Sequence, residues 1–237
     1  MIDIQHVTKS YDQKTHAVDD LNLTIDGGLI YGFIGHNGAG KTTLLRSMAG
    51  IIDFEGDILL NGHSIKKEPL KAKRDIAYIP DNPDVYESLT GIEYLDFMGD
   101  VFSVPQVKRE HLIEKYTTLF EIDDVLGNPI ASYSHGMKQK VVIIGALIHE
   151  PKIMLLDEPF VGLDPKASHQ LKEIFRSMCD EGCLIFFSTH VLEVAEKLCD
   201  KVAIIKQGKI VANGDTKEVI KDQSLEHIFL ELIKEKQ

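Results

Sequence analysis

The 237-residue chain has no tryptophan and only three cysteines, and none of its apolar runs approaches the thickness of a bilayer. Each absence excludes something. Cys179, Cys183 and Cys199 form no C-x-x-C pair, and a chain of this size does not need disulfide staples, so they read as buried or idle thiols of a reducing compartment. The longest purely apolar run, Val141 to Ile148, falls far short of the roughly 18 residues that span a membrane, and the acidic start Met1-Ile2-Asp3 is no signal peptide. A cytosolic setting is expected. Positive charge is also scarce. With 26 Lys and Arg against 37 Asp and Glu the net charge is −11, which argues against a general affinity for nucleic acid or anionic membranes. A small molecule or a protein is the expected partner. No repeat, low-complexity tract or Pro/Gly-rich linker divides the chain, so one domain, with at most a subdomain, is expected.

Apolar spacing gives the organisation. Ile2 to Val7, Leu21 to Ile25 and Tyr31 to Ile34 read as alternating strands, separated by Asp-Asp and Gly-Gly. From Ile92 to about Phe120 the spacing changes to three and four, and His135 to Glu150 reads as an apolar helix stopped by Pro151. Buried-strand runs Ile153–Leu156, Leu184–Phe187 and Val202–Ile205 then alternate with helical stretches Lys166–Cys179 and Val191–Leu198. That alternation predicts an α/β core with a parallel sheet, into which the helical middle is inserted, and the last 20 residues read as a charged amphipathic tail.

Gly35-His36-Asn37-Gly38-Ala39-Gly40-Lys41-Thr42 fits G-x-x-x-x-G-K-[ST], follows a strand and opens a helix through Ala49. The glycines let backbone N–H groups turn in around phosphate oxygens, Lys41 reaches the β/γ-phosphates, and the Thr42 hydroxyl is a ligand for Mg2+. Ile153 to Glu158 is a strand delivering two carboxylates at its end, where parallel sheets bind ligands. Side chains alternate on a strand, so the two acids take different tasks. Asp157 is expected to hold the Mg2+ shell and Glu158 to orient or deprotonate the attacking water. His190, after the strand Leu184–Phe187, is either structural or a donor to a γ-phosphate. Ser134 reads locally as nothing more than the cap of the following helix.

The order of these motifs resembles the nucleotide-binding subunit of ABC transporters. The segments involved are residues 35–42, Tyr133-Ser134-His135-Gly136-Met137, Leu155-Leu156-Asp157-Glu158-Pro159, Gly162-Leu163-Asp164 and Ser188-Thr189-His190, and the likeness covers nearly the whole chain. It implies a P-loop NTPase core with an N-terminal antiparallel β subdomain and an inserted helical subdomain. The core would comprise residues 1–84 and 150–237, and the helical subdomain with the signature residues 85–149. ATP and Mg2+ are the implied cofactors. His36 to Thr43 would hold the phosphates, and Tyr11 would stack on adenine.

The resemblance further implies a head-to-tail pair, homodimer or related ATPase subunit, in which Ser134 and Gly136 close on the γ-phosphate held by Lys41 of the other chain. It implies a separate integral-membrane subunit and a position at the cytoplasmic face of the membrane. The Tyr-Ser-x-Gly-Met signature looks more like exporters than nutrient importers. A soluble ATPase of an assembly system, such as iron-sulfur cluster assembly, is the alternative. Tyr133 and His135 depart from the usual signature, and Asp81 follows Ile76–Pro80 where the family usually has Gln. Asp81 is expected either to ligate Mg2+ or to serve the turn Asp81-Asn82-Pro83, and Asp84 to Thr90 again look like the family. The basic stretch Lys66, Lys67, Lys71, Lys73 and Arg74 is read as a solvated face.

Overall fold

The computed structural model describes residues 1–12, 14–82, 85–221 and 223–234. The chain opens on an antiparallel pair, β1 (Ile2–Ser10) and β2 (His16–Ile25), then forms β3 (Ile30–Ile34) and, through the glycine-rich motif, α1 (Lys41–Met48). Next, β4 (Glu55–Leu60) returns to pair antiparallel with β1 and with the short β5 (His63–Ser64), completing a four-stranded sheet. After α2 (Pro69–Arg74) and β6 (Ile76–Ile79) come three helices, α3 (Gly91–Val101), α4 (Gln106–Phe120) and α5 (His135–Leu147). They are an insertion, because the next strand, β7 (Ile153–Asp157), pairs in parallel with β6. The rest runs α6 (Pro165–Asp180), β8 (Leu184–Thr189), α7 (Leu192–Leu198), β9 (Lys201–Lys206), β10 (Lys209–Asp215), α8 (Thr216–Ile220) and α9 (Leu225–Lys234).

The second sheet has the order β10-β9-β3-β8-β7-β6, parallel throughout except for β10, which lies antiparallel on the edge. Its centre corrects one expectation. Tyr31 to Ile34 do not alternate between core and solvent, since every residue of β3 is buried. Ile30 and Ile34 join the core shared with α3 to α7, while Tyr31 and Phe33 join the core shared with β1, β2 and α1. A parallel strand covered on both faces must be apolar throughout. Each such Phe, Leu or Ile contributes about 1.5–3 kcal/mol through burial.

Helix ends follow local chemistry. Thr90 and Glu93 exchange the reciprocal bonds of a capping box at α3, and Ser134 caps α5 by accepting from the Met137 N–H at 3.3 Å. Helix α5 stops at Leu147 rather than running to Glu150, which turns with φ 51° ahead of Pro151. The expected tail is seated on the core: Leu225 is buried and its N–H donates to Glu196 Oε2 at 2.8 Å. Residues 222 and 235–237 of that tail, with Pro83 and Asp84 of the stretch after Asp81, lie outside the described residues.

Candidate nucleotide site

Strands β3, β7 and β8 run parallel, so their carboxyl ends bring Gly35, the Asp157-Glu158 pair and Ser188 to His190 to one edge of the sheet. The glycine-rich motif wraps this edge. Gly40 takes φ 113°, and a Cβ there would lie 2.1 Å from the Ala17 carbonyl oxygen, so only glycine fits. Lys41 folds back across the loop, its Nζ donating to Gly35 O at 2.7 Å and His36 O at 3.3 Å. At α1 the first N–H groups have no helical acceptor and point toward the cleft mouth, which favours an anion there.

Across the loop lie the acids. Thr42 Oγ1 donates to Asp157 Oδ2 at 2.6 Å, and Ser188 Oγ donates to Asp157 Oδ1. Glu158 takes φ 49°, which turns its side chain out of the strand alternation. Its Oε1 sits 3.9 Å from Lys41 Nζ and 2.7 Å from His190 Nδ1, and its Oε2 accepts from Thr189 Oγ1 at 3.1 Å. The two acids sit in different environments: Asp157 is nearly inaccessible between two hydroxyls, whereas Glu158 is held by a lysine, a threonine and an exposed histidine. Burial pushes the Lys41 ammonium below its usual range, and the carboxylates of Glu158, Asp157 and Asp81 push it back up.

A cleft of about 290 Å³ is lined by Ala17, Asn37, Gly38, Gly40, Lys41, Thr42, Thr43, Asp81, Asp157 and Glu158. Asp81 thus joins the site. Ala39 lies beneath it, with its side chain in the core and its N–H donating to His36 O at 3.1 Å, while His36 Nδ1 bonds Asn37 O at 2.7 Å. Tyr11 stands exposed, with its hydroxyl 3.4 Å from Thr43 Oγ1 and Lys9 Nζ 5.3 Å from its ring centroid. His190 touches the site through Glu158. Ser134 and Gly136 do not line this cleft, so the signature end of α5 has no contact with it in the single chain. Ser188 and Thr189 are the functional residues sequence reasoning left without a role. Their signal is the pairing of Asp157 with Ser188 across β7 and β8, which places a hydroxyl beside each acid.

One cationic group faces three carboxylates at this cleft, an imbalance that suits a divalent cation. Among the described residues no group of three or more His, Cys, Asp or Glu can hold a metal alone. The donor set fits Mg2+ rather than a metal cage, because Mg2+ is typically held by one or two carboxylates together with substrate phosphates. In the basic stretch near α2, Lys67 pairs with Asp57 and Lys71 with Glu68, while Lys66 donates to Phe54 O and Gly56 O and Lys73 to Gly50 O. The three cysteines are free and buried, burial pushing the Cys179 thiol up to about 11 and Cys183 to about 12. No described helix is long and apolar enough to cross a membrane.

Comparison with known proteins agrees with this geometry. The ABC transporter family model matches residues 18–161. The ABC transporter ATP-binding protein YhcH of Bacillus subtilis (strain 168) is 34% identical over 97% of this chain and 74% of its own. The ABC-type transporter ATP-binding protein EcsA of the same organism is 33% identical over 99% of this chain and 97% of its own. A solved ATP-binding subunit of an ABC transporter, 32% identical, superposes with a TM-score of 0.94 over 99% of this chain and 100% of its own.

Proposed function

Because the chain belongs to the ABC transporter ATP-binding family and is an ATPase of the P-loop fold, we propose that it hydrolyses MgATP between two head-to-tail chains and drives transport through a separate membrane subunit. The observation that carries this is the convergence of Lys41, Thr42, Asp157 and Glu158 on one cleft, with Thr42 bonded to Asp157 and Lys41 close to Glu158. The N–H groups of residues 36 to 43, apart from that of Ala39 which is held by the His36 carbonyl, bind the phosphates, and the Lys41 ammonium exchanges its loop carbonyls for β/γ-phosphate oxygens. Thr42 and Asp157 hold Mg2+, with Asp81 as a further carboxylate. When bound, that ion neutralises charge developing on the transferred phosphoryl group.

Glu158 accepts the proton of the attacking water or orients it, and Thr189 and His190 fix its two oxygens. With His190 Nδ1–H donating to Glu158, the other ring nitrogen donates to the γ-phosphate only in the form that carries a proton on both nitrogens. Tyr11 stacks on adenine. Ser134 and Gly136, at the positive end of α5, close on the γ-phosphate of the second chain and complete each site. The core of residues 1–84 and 150–237 carries the nucleotide, and residues 85–149 transmit its state to the membrane subunit at the cytoplasmic face. Glu158→Gln tests the assignment. ATP binding, measured with a fluorescent analogue, is retained while phosphate release slows at least roughly a hundredfold; unchanged turnover refutes it.

A further inference from the structure

The segment from Glu158 to Asp164 joins the catalytic carboxylate to α6, and the signature end of α5 grips it from the same chain. A Cβ placed on Gly162 would lie 2.4 Å from His135 Cδ2 and 2.7 Å from His135 Nε2, so the ring of the exposed His135 would have to move aside for a side chain at 162. One residue on, a Cβ on Gly136 would lie 2.8 Å from the Gly162 carbonyl oxygen. Further along the helix, Lys140 Nζ pairs with Asp164 Oδ2 at 2.8 Å, while Asp164 caps α6 through the Ala167 N–H at 2.8 Å. At the other end of the segment, the Val161 N–H donates to the Glu158 carbonyl at 3.1 Å, so the turn that carries Glu158 runs directly into Gly162.

We propose that His135 is a positioning residue for Glu158: its flat ring, lying over Gly162, ties the ATP-closing end of α5 to the loop that sets the carboxylate. The inference rests on the reading of Glu158 as the group that handles the attacking water. Gly162 has φ 82° and offers no side chain, which leaves its backbone as a surface for a ring to lie on. Glu158 itself has φ 49°, a conformation a non-glycine residue keeps only where its surroundings over-determine it. His135, Lys140 and the hydrogen bonds of Glu158 supply those surroundings. A movement of α5 on closure is therefore delivered to Glu158 by contact rather than through solvent. A ring lost at 135 lets the 158–164 loop drift, and misplacement of a reacting group by about 1 Å costs up to roughly a hundredfold in rate.

The test is a kinetic cycle on the full chain with His135→Ala, Gly162→Ala and the double variant, with KM and kcat for ATP measured separately. His135→Ala is expected to lower kcat roughly ten- to a hundredfold while KM for ATP moves less than about twofold, because the phosphate loop of its own chain is untouched. Gly162→Ala loses activity in the parent through the meeting with the ring and through the strain of a methyl at φ 82°; in the His135→Ala background only the strain remains, so the loss is smaller. His135→Phe, which keeps a flat ring over Gly162, recovers most of kcat. Parental kcat in His135→Ala, strictly additive losses in the cycle, or no recovery by His135→Phe each overturn the proposal. Glu158→Gln, run alongside, separates the two failures. If it abolishes turnover while His135→Ala does not, the role of Glu158 stands and that of His135 falls; if it leaves turnover unchanged, the reading of Glu158 falls first.

Discussion

Ser188→Ala removes one hydroxyl from the least accessible charged group in the site. Asp157 is 2% exposed, and each of its oxygens has one side-chain donor, Thr42 Oγ1 on one and Ser188 Oγ on the other. The same Ser188 Oγ accepts from the Glu158 N–H at 3.3 Å, although that N–H keeps the Ser188 carbonyl at 3.2 Å. The loss is therefore concentrated on Asp157. A hydrogen bond to a buried charged group contributes about 1.5–3 kcal/mol, and an alanine leaves a carboxylate oxygen without its donor where little water enters. Stability should fall by about 2–3 kcal/mol, roughly thirty- to a hundred-and-fiftyfold in the folded-to-unfolded ratio. With one oxygen released, the carboxylate is free to rotate away from Thr42, so the Mg2+ concentration for half-maximal ATPase activity should rise. Urea unfolding and a Mg2+ titration at saturating ATP measure the two effects. A midpoint within experimental error of the parent, together with an unchanged Mg2+ curve, refutes the claim that Ser188 orients Asp157.

Asp81→Ala should raise the Mg2+ requirement without changing the fold, since Asp81 lines the cleft beside Lys41 and Asp157; an identical titration curve makes it a turn residue alone. His149 stacks on Phe102 with centroids 3.6 Å apart and donates through Nε2 to Ile76 O at 3.2 Å, and burial holds its pKa below the ordinary 6.5. The unfolded chain then binds the extra proton, so the stability this histidine contributes is present above pH 6.5 and is lost as the pH falls from there toward its folded value. The thermal midpoint of the parent should drop more steeply below pH 6.5 than that of His149→Asn, and parallel curves contradict the assignment. Gln139 on α5 is fully buried, and among the described residues neither its amide oxygen nor its nitrogen has a partner. Gln139→Met, of similar shape, should raise stability by about 1–3 kcal/mol in chemical denaturation, and a loss would mean that the amide is satisfied in the folded chain.

The parts of the site legible in the sequence are those whose chemistry is local. The phosphate loop and the Asp157-Glu158 pair are contiguous strings with a strand on one side, and the apolar runs of β7, β8 and β9 announce strands buried on both faces, whereas β3 reads as an alternating strand and is buried throughout. What stayed hidden depends on partners distant in the chain. Strand β4 carries charged Glu55 and Asp57 and is a strand because β1 and β5 flank it, while β10, Lys-Ile-Val-Ala-Asn-Gly-Asp, alternates only through its pairing with β9. Cross-strand register likewise decides that Ser188 meets Asp157. The contact of His135 with Gly162 spans the helix α5 and the loop between β7 and α6, and no spacing within either segment signals it. Ser134 shows the opposite case, in which local reading and structure agree on a cap and the wider role proposed for it would need a second chain.

Sedimentation velocity of the full-length Glu158→Gln protein with and without MgATP tests the central claim most directly. Without nucleotide, a chain of net charge −11 whose phosphate cleft holds no bridging ligand should sediment as a monomer. With MgATP, the γ-phosphate held at Lys41 of each chain should be closed over by Ser134 and Gly136 of the other, and the population should shift to a dimer that disperses when the nucleotide is removed. A protein that is dimeric without nucleotide, or that stays monomeric at saturating MgATP while binding it, contradicts a site completed by two chains.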